Sequence, residues 1–521
     1  MAILNDFRRA LLALLFVFLP LGAAQAAGDF IVLCYHEVEN EKTGTLARTA
    51  VRASDLAAQF AWLQANGYHP VSLQQILDSR QGGPALPDKA LLLTFDDGKR
   101  DVFTRAFPLL KLFRFPVVVA LTGHWMNVPD EGMVDYDGVP IQRSEFVSWG
   151  EVREMQRSGL VEIASHSYDL HRGVPANPQG NTQPATTTRV YSEGVYETDE
   201  VYLARLRADL RRNSELIEKH TGVPPRAIVW PYGRSNRAAQ ELAVELGMPV
   251  GMTLEDGINT AHTPLPQLKR YLIEESPALQ SFAEAVRHLW SPDPARSVRI
   301  VPAQWPLVEE GLSRALDELQ KLSPNVTFVD PRVTRNGQQA ALFPTTRLPV
   351  ASDELNRIAW QIERRAGSPV FIDLPADWLG DHGLLADLAR HVNFAGVRIP
   401  LAPGDELALR ALNVMARWRW PLRVAYAPKE AVSADAWRKL RPGDLLVLPA
   451  TAANLALVPA GEAGRVLFEF DPAAQPAVEI AHAMRRLEAD GFRQFGLAGF
   501  PDAGFDPVWS NLSLRSQPLL P

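Results

Sequence analysis

The sequence predicts an α/β protein of two parallel-sheet units in series, and three observations predict it. Short apolar runs alternate with amphipathic stretches from residue 30 onward, the rhythm of βα units. Ser291-Pro292-Asp293-Pro294-Ala295 interrupts that rhythm and reads as a linker. After it, eight strand patterns fall within about 220 residues, the count of a (β/α)₈ barrel near the lower end of its size range. The 521-residue length suits two to four domains, and 46% hydrophobic with 22% charged residues is ordinary globular composition.

Taken in order, the chain begins with a signal-peptide pattern over residues 1–26. Arg8 and Arg9 precede the apolar stretch Leu11 to Leu21, which is too short to span a bilayer comfortably. Ala24-Gln25-Ala26 is an A-x-A cleavage pattern, so the mature chain is expected to begin near Ala27. No cysteine stands just after the apolar run for a lipid anchor, and no later segment reads as transmembrane, so a periplasmic location is expected. An uncleaved membrane anchor is the alternative. The single cysteine, Cys34, has no partner for an internal disulfide and reads as a buried small hydrophobe.

The first unit, 27–290, has strand patterns at Phe30–Tyr35, Ala90–Phe95, Pro116–Leu121, Val161–Ser165, Ala227–Trp230 and Pro249–Thr253. Helical patterns at Ala53–Ala65, Val102–Phe113, Gly150–Arg157, Glu200–His220 and Arg237–Leu246 separate them, giving a barrel or a doubly wound sheet. Pro175 to Thr188 reads as a long loop beside the candidate site. Arg205, Arg207, Arg211 and Arg212 read as a solvated helix face, and a net charge of −7 offers no electrostatic reason for a nucleic-acid partner. The second unit, 296–521, has strand patterns at Val298–Val301, Val326–Val329, Pro369–Asp373, Ala395–Ile399, Leu422–Ala425, Leu445–Leu448, Val466–Phe470 and Phe495–Leu497.

The chemistry concentrates in the first unit. Thr94-Phe95-Asp96-Asp97-Gly98 ends an apolar strand with two carboxylates, which is costly unless something neutralises or uses them. Capping the next helix would explain one of them. Val161–Ser165 leads into His166 and, after four residues, His171. One carboxylate and two imidazoles are three ligands for a divalent metal with an open position, and the second carboxylate is left as a base. A five-residue offset places two histidines about 140° apart on a helix, so a strand-to-loop turn is needed to bring them together. This set points to metal-assisted hydrolysis. Trp230-Pro231-Tyr232-Gly233 can aim a backbone N–H into a cavity as an oxyanion hole requires, although alone it is an ordinary turn. His36, at the end of the first strand, is unremarkable by itself.

Together these motifs resemble the polysaccharide deacetylase family of metal-dependent carbohydrate esterases, over roughly residues 30–290. Within it they are most similar to the periplasmic branch that acts on poly-β-1,6-N-acetyl-D-glucosamine in biofilm-forming bacteria. Four residues separate the histidines where the family usually has three, and His36 stands at the start of the unit, where the wider family places its histidine near the end. Gln59-Phe60-Ala61-Trp62-Leu63, Asn66-Gly67-Tyr68 and Pro70-Val71-Ser72 match that branch as well. The resemblance implies a distorted (β/α) barrel, with Asp97, His166 and His171 as metal ligands and Asp96 as general base. It implies His36 as general acid and the Tyr232 N–H as oxyanion donor. Arg270, in Pro266-Gln267-Leu268-Lys269-Arg270, would orient Asp96 or be a surface arginine. The ligand set suits zinc, nickel, cobalt or iron. The implied partners are an N-acetylglucosamine polymer and an outer-membrane export porin.

Phe343-Pro344, Arg347-Leu348-Pro349 and Arg357-Ile358-Ala359-Trp360-Gln361-Ile362 resemble the start of that branch's C-terminal barrel, here shortened. Pro400-Leu401-Ala402 stands where hydrolytic members carry His-Asp-Asp. Asp373, Glu469 and Asp471 are the acids near strand ends that a glycosidase would need, and polymer binding is the expectation for this unit. A deacetylase of chitin oligomers or peptidoglycan, and a carbohydrate-binding export module with a dead site, are the alternatives. The intact acids and histidines oppose the second.

Overall fold

The computed structural model describes residues 28–40, 46–289, 294–302, 309–335, 337–419 and 421–499. The leader pattern and the first three linker residues lie outside them.

The first unit is a parallel sheet of β1 (Phe30–Tyr35), β2 (His69–Pro70), β3 (Ala90–Phe95), β4 (Val117–Leu121), β5 (Val161–Ser165), β6 (Ala227–Val229), β7 (Val250–Met252) and β8 (Tyr271–Leu272). Its order is β7-β6-β5-β4-β3-β1-β8, with β2 beside the start of β3. The ends meet irregularly: Thr253 N–H donates to Leu268 O at 2.9 Å, and Leu268 N–H donates to Gly251 O at 2.8 Å. The result is the expected distorted (β/α) barrel. All six residues of β1 and of β3 are buried, because helices cover one face and the other fills the interior. Ile31, Leu33, Leu91, Leu93, Val117 and Val119 face outward against Leu56, Phe60, Leu110, Val152 and Phe282. Phe30, Val32, Leu92, Val118, Val229 and Met252 face inward. This alternation is the two-residue period of the pleat.

The predicted helix Val102–Phe113 begins as a π-helix over Val102–Ala106. Pro108 has no N–H to give Thr104, and Phe107 N–H reaches back five residues to Val102 O. The long helix Asp199–Thr221 starts at the Thr198 cap and ends at Gly222 in the left-handed region.

The second unit is a closed eight-stranded parallel barrel: β9 (Arg296–Ile300), β10 (Val326–Val329), β11 (Val370–Asp373), β12 (Gly396–Ile399), β13 (Arg423–Tyr426), β14 (Leu445–Pro449), β15 (Val466–Phe470) and β16 (Gln494–Leu497). Phe328, Phe371, Val447 and Leu467 fill its interior. Two residues further along, Asp373 and Glu469 continue the inward positions to the C-terminal mouth, where most ligand sites of such barrels are built.

The long loop sits differently from its reading as part of the site. Gln183 Nε2 donates to Asn356 Oδ1 at 3.0 Å, Asn356 Nδ2 donates to Ala176 O at 3.2 Å, and Gln179 Nε2 donates to Asp353 O at 2.9 Å. It therefore docks the barrel. Arg205 is not solvated either: it holds Glu197 at 2.8 Å and the loop carbonyls of Ala185 and Thr188 at 3.0 Å. The loop returns over the helix face that periodicity assigned to water. Arg390 clamps Asp199 at 2.8 and 2.9 Å, and Tyr202, Leu206 and Leu210 of the long helix share one apolar core with the barrel helices.

Candidate active site

β1 and β3 pair in register from Phe30–Ala90 to Tyr35–Phe95, and Asp96 N–H extends the ladder to Tyr35 O at 3.0 Å. By alternation Cys34, His36, Thr94 and Asp96 fall on the interior side. Asp97 would fall on the outer side. Its backbone enters the left-handed region (φ 71°), which aspartate tolerates better than most residues, and the carboxylate swings inward. Gly98 follows at φ 71°, and a Cβ there would lie 2.7 Å from Leu121 Cδ2. Only glycine fits.

His166 follows β5, and its Nδ1 lies 2.7 Å from Val229 O. A carbonyl only accepts, so Nδ1 carries the proton and Nε2 presents its lone pair to Asp97. Ser167 (φ 69°) turns the chain, and its Oγ accepts from Leu170 N–H at 3.1 Å. Tyr168 and Asp169 N–H both donate to the Asp209 carboxylate at 2.8 and 2.7 Å. That turn brings His171 back beside His166, which a helical offset of five could not do.

Asp97 Oδ1 lies 3.3 Å from His166 Nε2 and 3.5 Å from His171 Nε2. Tetrahedral ligands about 2.0 Å from a divalent metal stand about 3.3 Å apart. Asp97 Oδ1 is also a buried oxygen with no hydrogen-bond partner. The three groups therefore fit a metal centre. Burial pushes the Asp97 carboxyl up, and the His171 and His166 imidazoles override it, leaving it far below the usual range.

Asp96 is held by Arg270, which is fully buried and is no surface arginine. Its Nη1 donates to Asp96 Oδ1 at 2.8 Å and to Thr94 Oγ1 at 3.0 Å, and its Nε donates to Thr253 O at 2.9 Å. Burial pushes the Asp96 carboxyl up, but the guanidinium wins and holds it below the usual carboxylate value. His36 Nε2 lies 3.9 Å from Asp96 Oδ2. Tyr232 occupies the left-handed region (φ 56°) in the Pro231–Gly233 turn, with its ring 4.4 Å from that of His171. The turn is closed by Gly233 and Arg234 N–H groups to Trp230 and Pro231 at 2.8 and 3.0 Å. Gly233 has φ 66°, and a Cβ there would lie 2.5 Å from Leu254 N. All seven residues singled out in the sequence thus converge on one end of the barrel.

Sequence reasoning missed Tyr136 and Asp137. They sit on the hairpin Met133–Tyr136/Val139–Gln142, whose Asp137-Gly138 turn has positive φ at both positions. Tyr136 hydroxyl bonds Asp97 Oδ2 and lies 3.2 Å from Glu37 Oε1. Asp137 accepts from the Tyr232 hydroxyl and lies 3.6 Å from His171 Nδ1, the kind of carboxylate that orients metal-binding histidines elsewhere. The Asp-Gly dipeptide was a legible turn signal; its destination was not. Asn213 was also legible as a polar residue on the stripe Leu206, Leu210, Ile217, and it bonds Ser165 Oγ at 2.7 Å.

Residues 83–251 match the family model described as polysaccharide deacetylase. Poly-β-1,6-N-acetyl-D-glucosamine N-deacetylase of Escherichia coli (strain K12) is 33% identical over 356 residues, 66% of this chain and 53% of that protein. The chain thus spans about half the length of that relative. Among solved structures, a de-N-acetylase from Aggregatibacter actinomycetemcomitans is 36% identical with a TM-score of 0.47, over 49% of this chain and 99% of that one. The BpsB deacetylase domain from Bordetella bronchiseptica is 42% identical with a TM-score of 0.44, over 47% of this chain and 96% of that one.

Proposed function

Residues 83–251 form a polysaccharide deacetylase domain, and on that premise we propose that the chain is a metal-dependent hydrolase removing N-acetyl groups from poly-β-1,6-N-acetyl-D-glucosamine. The observation that carries this reading is the unpartnered Asp97 Oδ1 at 3.3 and 3.5 Å from two imidazole nitrogens, beside a second, arginine-held carboxylate. Asp97, His166 and His171 would hold the metal, which zinc, nickel, cobalt or iron each suits. A divalent ion bound there would supply Lewis acidity to the amide carbonyl and to water. Asp96, kept ionised by Arg270, accepts the proton of the attacking water. His36, on the other side of Asp96 Oδ2, protonates the leaving nitrogen as the C–N bond breaks. Tyr232 N–H donates to the developing oxyanion. Asp137 and Tyr136 hold His171 and Asp97 in place.

Acetate release from β-1,6 and β-1,4 N-acetylglucosamine oligomers, with and without chelator, tests the reading. Chelator-sensitive release that favours the β-1,6 oligomer is expected. A clear β-1,4 preference would reassign the substrate to chitin-like or peptidoglycan polymers, and no release with metal supplied would leave a binding module. Asp97→Ala should lose metal and turnover together, whereas Asp96→Asn should keep metal and lose turnover. Retained turnover in Asp96→Asn would sink the base assignment.

The barrel serves polymer binding in this reading. Its mouth holds a cavity of about 560 Å³ lined by Arg299, Asp373, Arg398, Trp437 and Glu469. Arg398 bonds Asp373 and Glu469 at 2.9 Å each, and Arg299 takes the other Asp373 oxygen. Asp471 is exposed and closes a turn through Ala473 N–H at 3.0 Å. Glycoside hydrolysis usually needs two carboxyl groups free to flank the bond; here Arg398 and Arg299 hydrogen-bond to both candidates, Asp373 and Glu469. Periplasmic export rests on the leader pattern, and docking to an outer-membrane porin on the branch it resembles; cell fractionation and co-purification from membranes test them.

A further inference from the structure

The deacetylation scheme leaves Cys34 unused. It is the chain's single cysteine, it is fully buried on β1, and its Sγ lies 3.5 Å from Asp96 Oδ2. His36 Nε2 approaches the same oxygen at 3.9 Å, and His36 Nδ1 has no partner. The thiol, imidazole and carboxylate offer ligand atoms all within 4.8 Å of one another. We propose that Cys34, His36 and Asp96 form a second metal site, one that takes thiophilic divalent ions such as zinc or cadmium and inhibits the enzyme.

Geometry and donor chemistry carry the proposal. With bonds of about 2.3 Å to sulfur and 2.0 Å to oxygen, a tetrahedral zinc holds those atoms about 3.5 Å apart, which is the Cys34–Asp96 separation found. The imidazole needs to close by about half an ångström to reach the corresponding nitrogen–oxygen spacing. Arg270 occupies Asp96 Oδ1 and leaves Oδ2 toward the thiol and the imidazole. Binding forms metal–sulfur, metal–nitrogen and metal–oxygen bonds and releases the thiol proton to solvent. The nearby Arg270 cation weakens the site relative to the Asp97–His166–His171 set, so it fills second. A thiolate selects zinc or cadmium over magnesium and manganese. Inhibition follows because the ion takes the lone pairs that Asp96 and His36 need for proton transfer; that consequence rests on their proposed roles, whereas the site itself does not.

Cobalt(II) titration of metal-free protein reads the site directly. The first set contains no sulfur, so thiolate-to-cobalt charge-transfer absorption in the near ultraviolet can arise only at Cys34. The expected result is a first equivalent without that band and a second with it. Zinc beyond one equivalent is expected to suppress acetate release, and Cys34→Ala to abolish the band and weaken zinc inhibition by about tenfold or more, with one-equivalent activity kept. No band in the wild type at excess cobalt, or undiminished zinc inhibition in Cys34→Ala, would overturn the proposal. Should Cys34→Ala fail to fold, Cys34→Ser and the wild-type band decide it. Acetate release at one equivalent reports the deacetylase reading separately.

Discussion

Replacing Arg270 with methionine keeps most of the side chain's apolar volume and removes its charge. The side chains of Arg270 and Asp96 are 0% and 2% exposed, and their contact is 2.8 Å. Breaking such a pair strands a buried carboxylate and costs about 3–5 kcal/mol. The pH dependence should also change sign. In the wild type Asp96 is held below its ordinary value, so its contribution is present above about pH 4 and is lost as pH falls through the folded value. Without Arg270, burial is the largest influence left and raises the carboxyl, so stability would instead be lost as pH rises through the folded value. Adding Asp96→Asn removes the stranded charge, and the double variant should recover about 2–3 kcal/mol of the loss. Urea unfolding of the metal-free protein at pH 5 and pH 7 for the four members of the cycle measures this. A single-variant cost below about 1 kcal/mol, or additive effects in the cycle, would refute the view that Arg270 exists to keep Asp96 charged.

Gly98→Ala places a Cβ 2.7 Å from Leu121 Cδ2 in a left-handed backbone, and should cost about 2–4 kcal/mol and weaken metal binding by calorimetry, because the same turn aims Asp97. Burial pushes the Asp209 carboxyl up to about 6 despite two backbone N–H donors, so carrying its charge at pH 7 costs the fold about 3 kcal/mol. Asp209→Asn should therefore hold or raise stability while loosening the histidine turn and weakening metal affinity about tenfold; a large stability loss would contradict this. His391, packed 4.7 Å from Tyr196 across the seam between the units, is pushed down to about 4 by burial. Its contribution is present above its unfolded value of about 6.5 and is lost as pH falls through 4, a swing of about 3 kcal/mol that His391→Gln should flatten in thermal melts. Arg398→Met leaves Glu469 without its arginine and Asp373 with Arg299 alone in the barrel mouth, and should lower barrel stability by about 3 kcal/mol in urea unfolding.

Much of the architecture was legible because it depends on local periodicity. Six buried residues in β1 and in β3, and eight successive strands after the linker, leave few topologies for short parallel connections. The chemistry was legible too, since a strand-end acid pair and a histidine pair are unusual enough to need a purpose. The misses share a cause. Pro108 changed the register of a helix whose apolar pattern looked continuous. The return of residues 176–198 partly covered Arg205 on a face that looked polar.

The sequence by itself determined the elements, the two units and the inventory of acids, imidazoles and arginine at strand ends, because these follow from residue type and spacing. Tertiary structure decided their use. It turned Asp97 inward through a left-handed residue that Leu121 leaves room for only beside a glycine, bent His171 back through Asp209 on a distant helix, and brought Tyr136 and Asp137 over the site from a hairpin. It also placed Arg270 and Cys34 on the two oxygens of Asp96. Each of these depends on contacts between residues tens to hundreds of positions apart, and only the closed fold creates them.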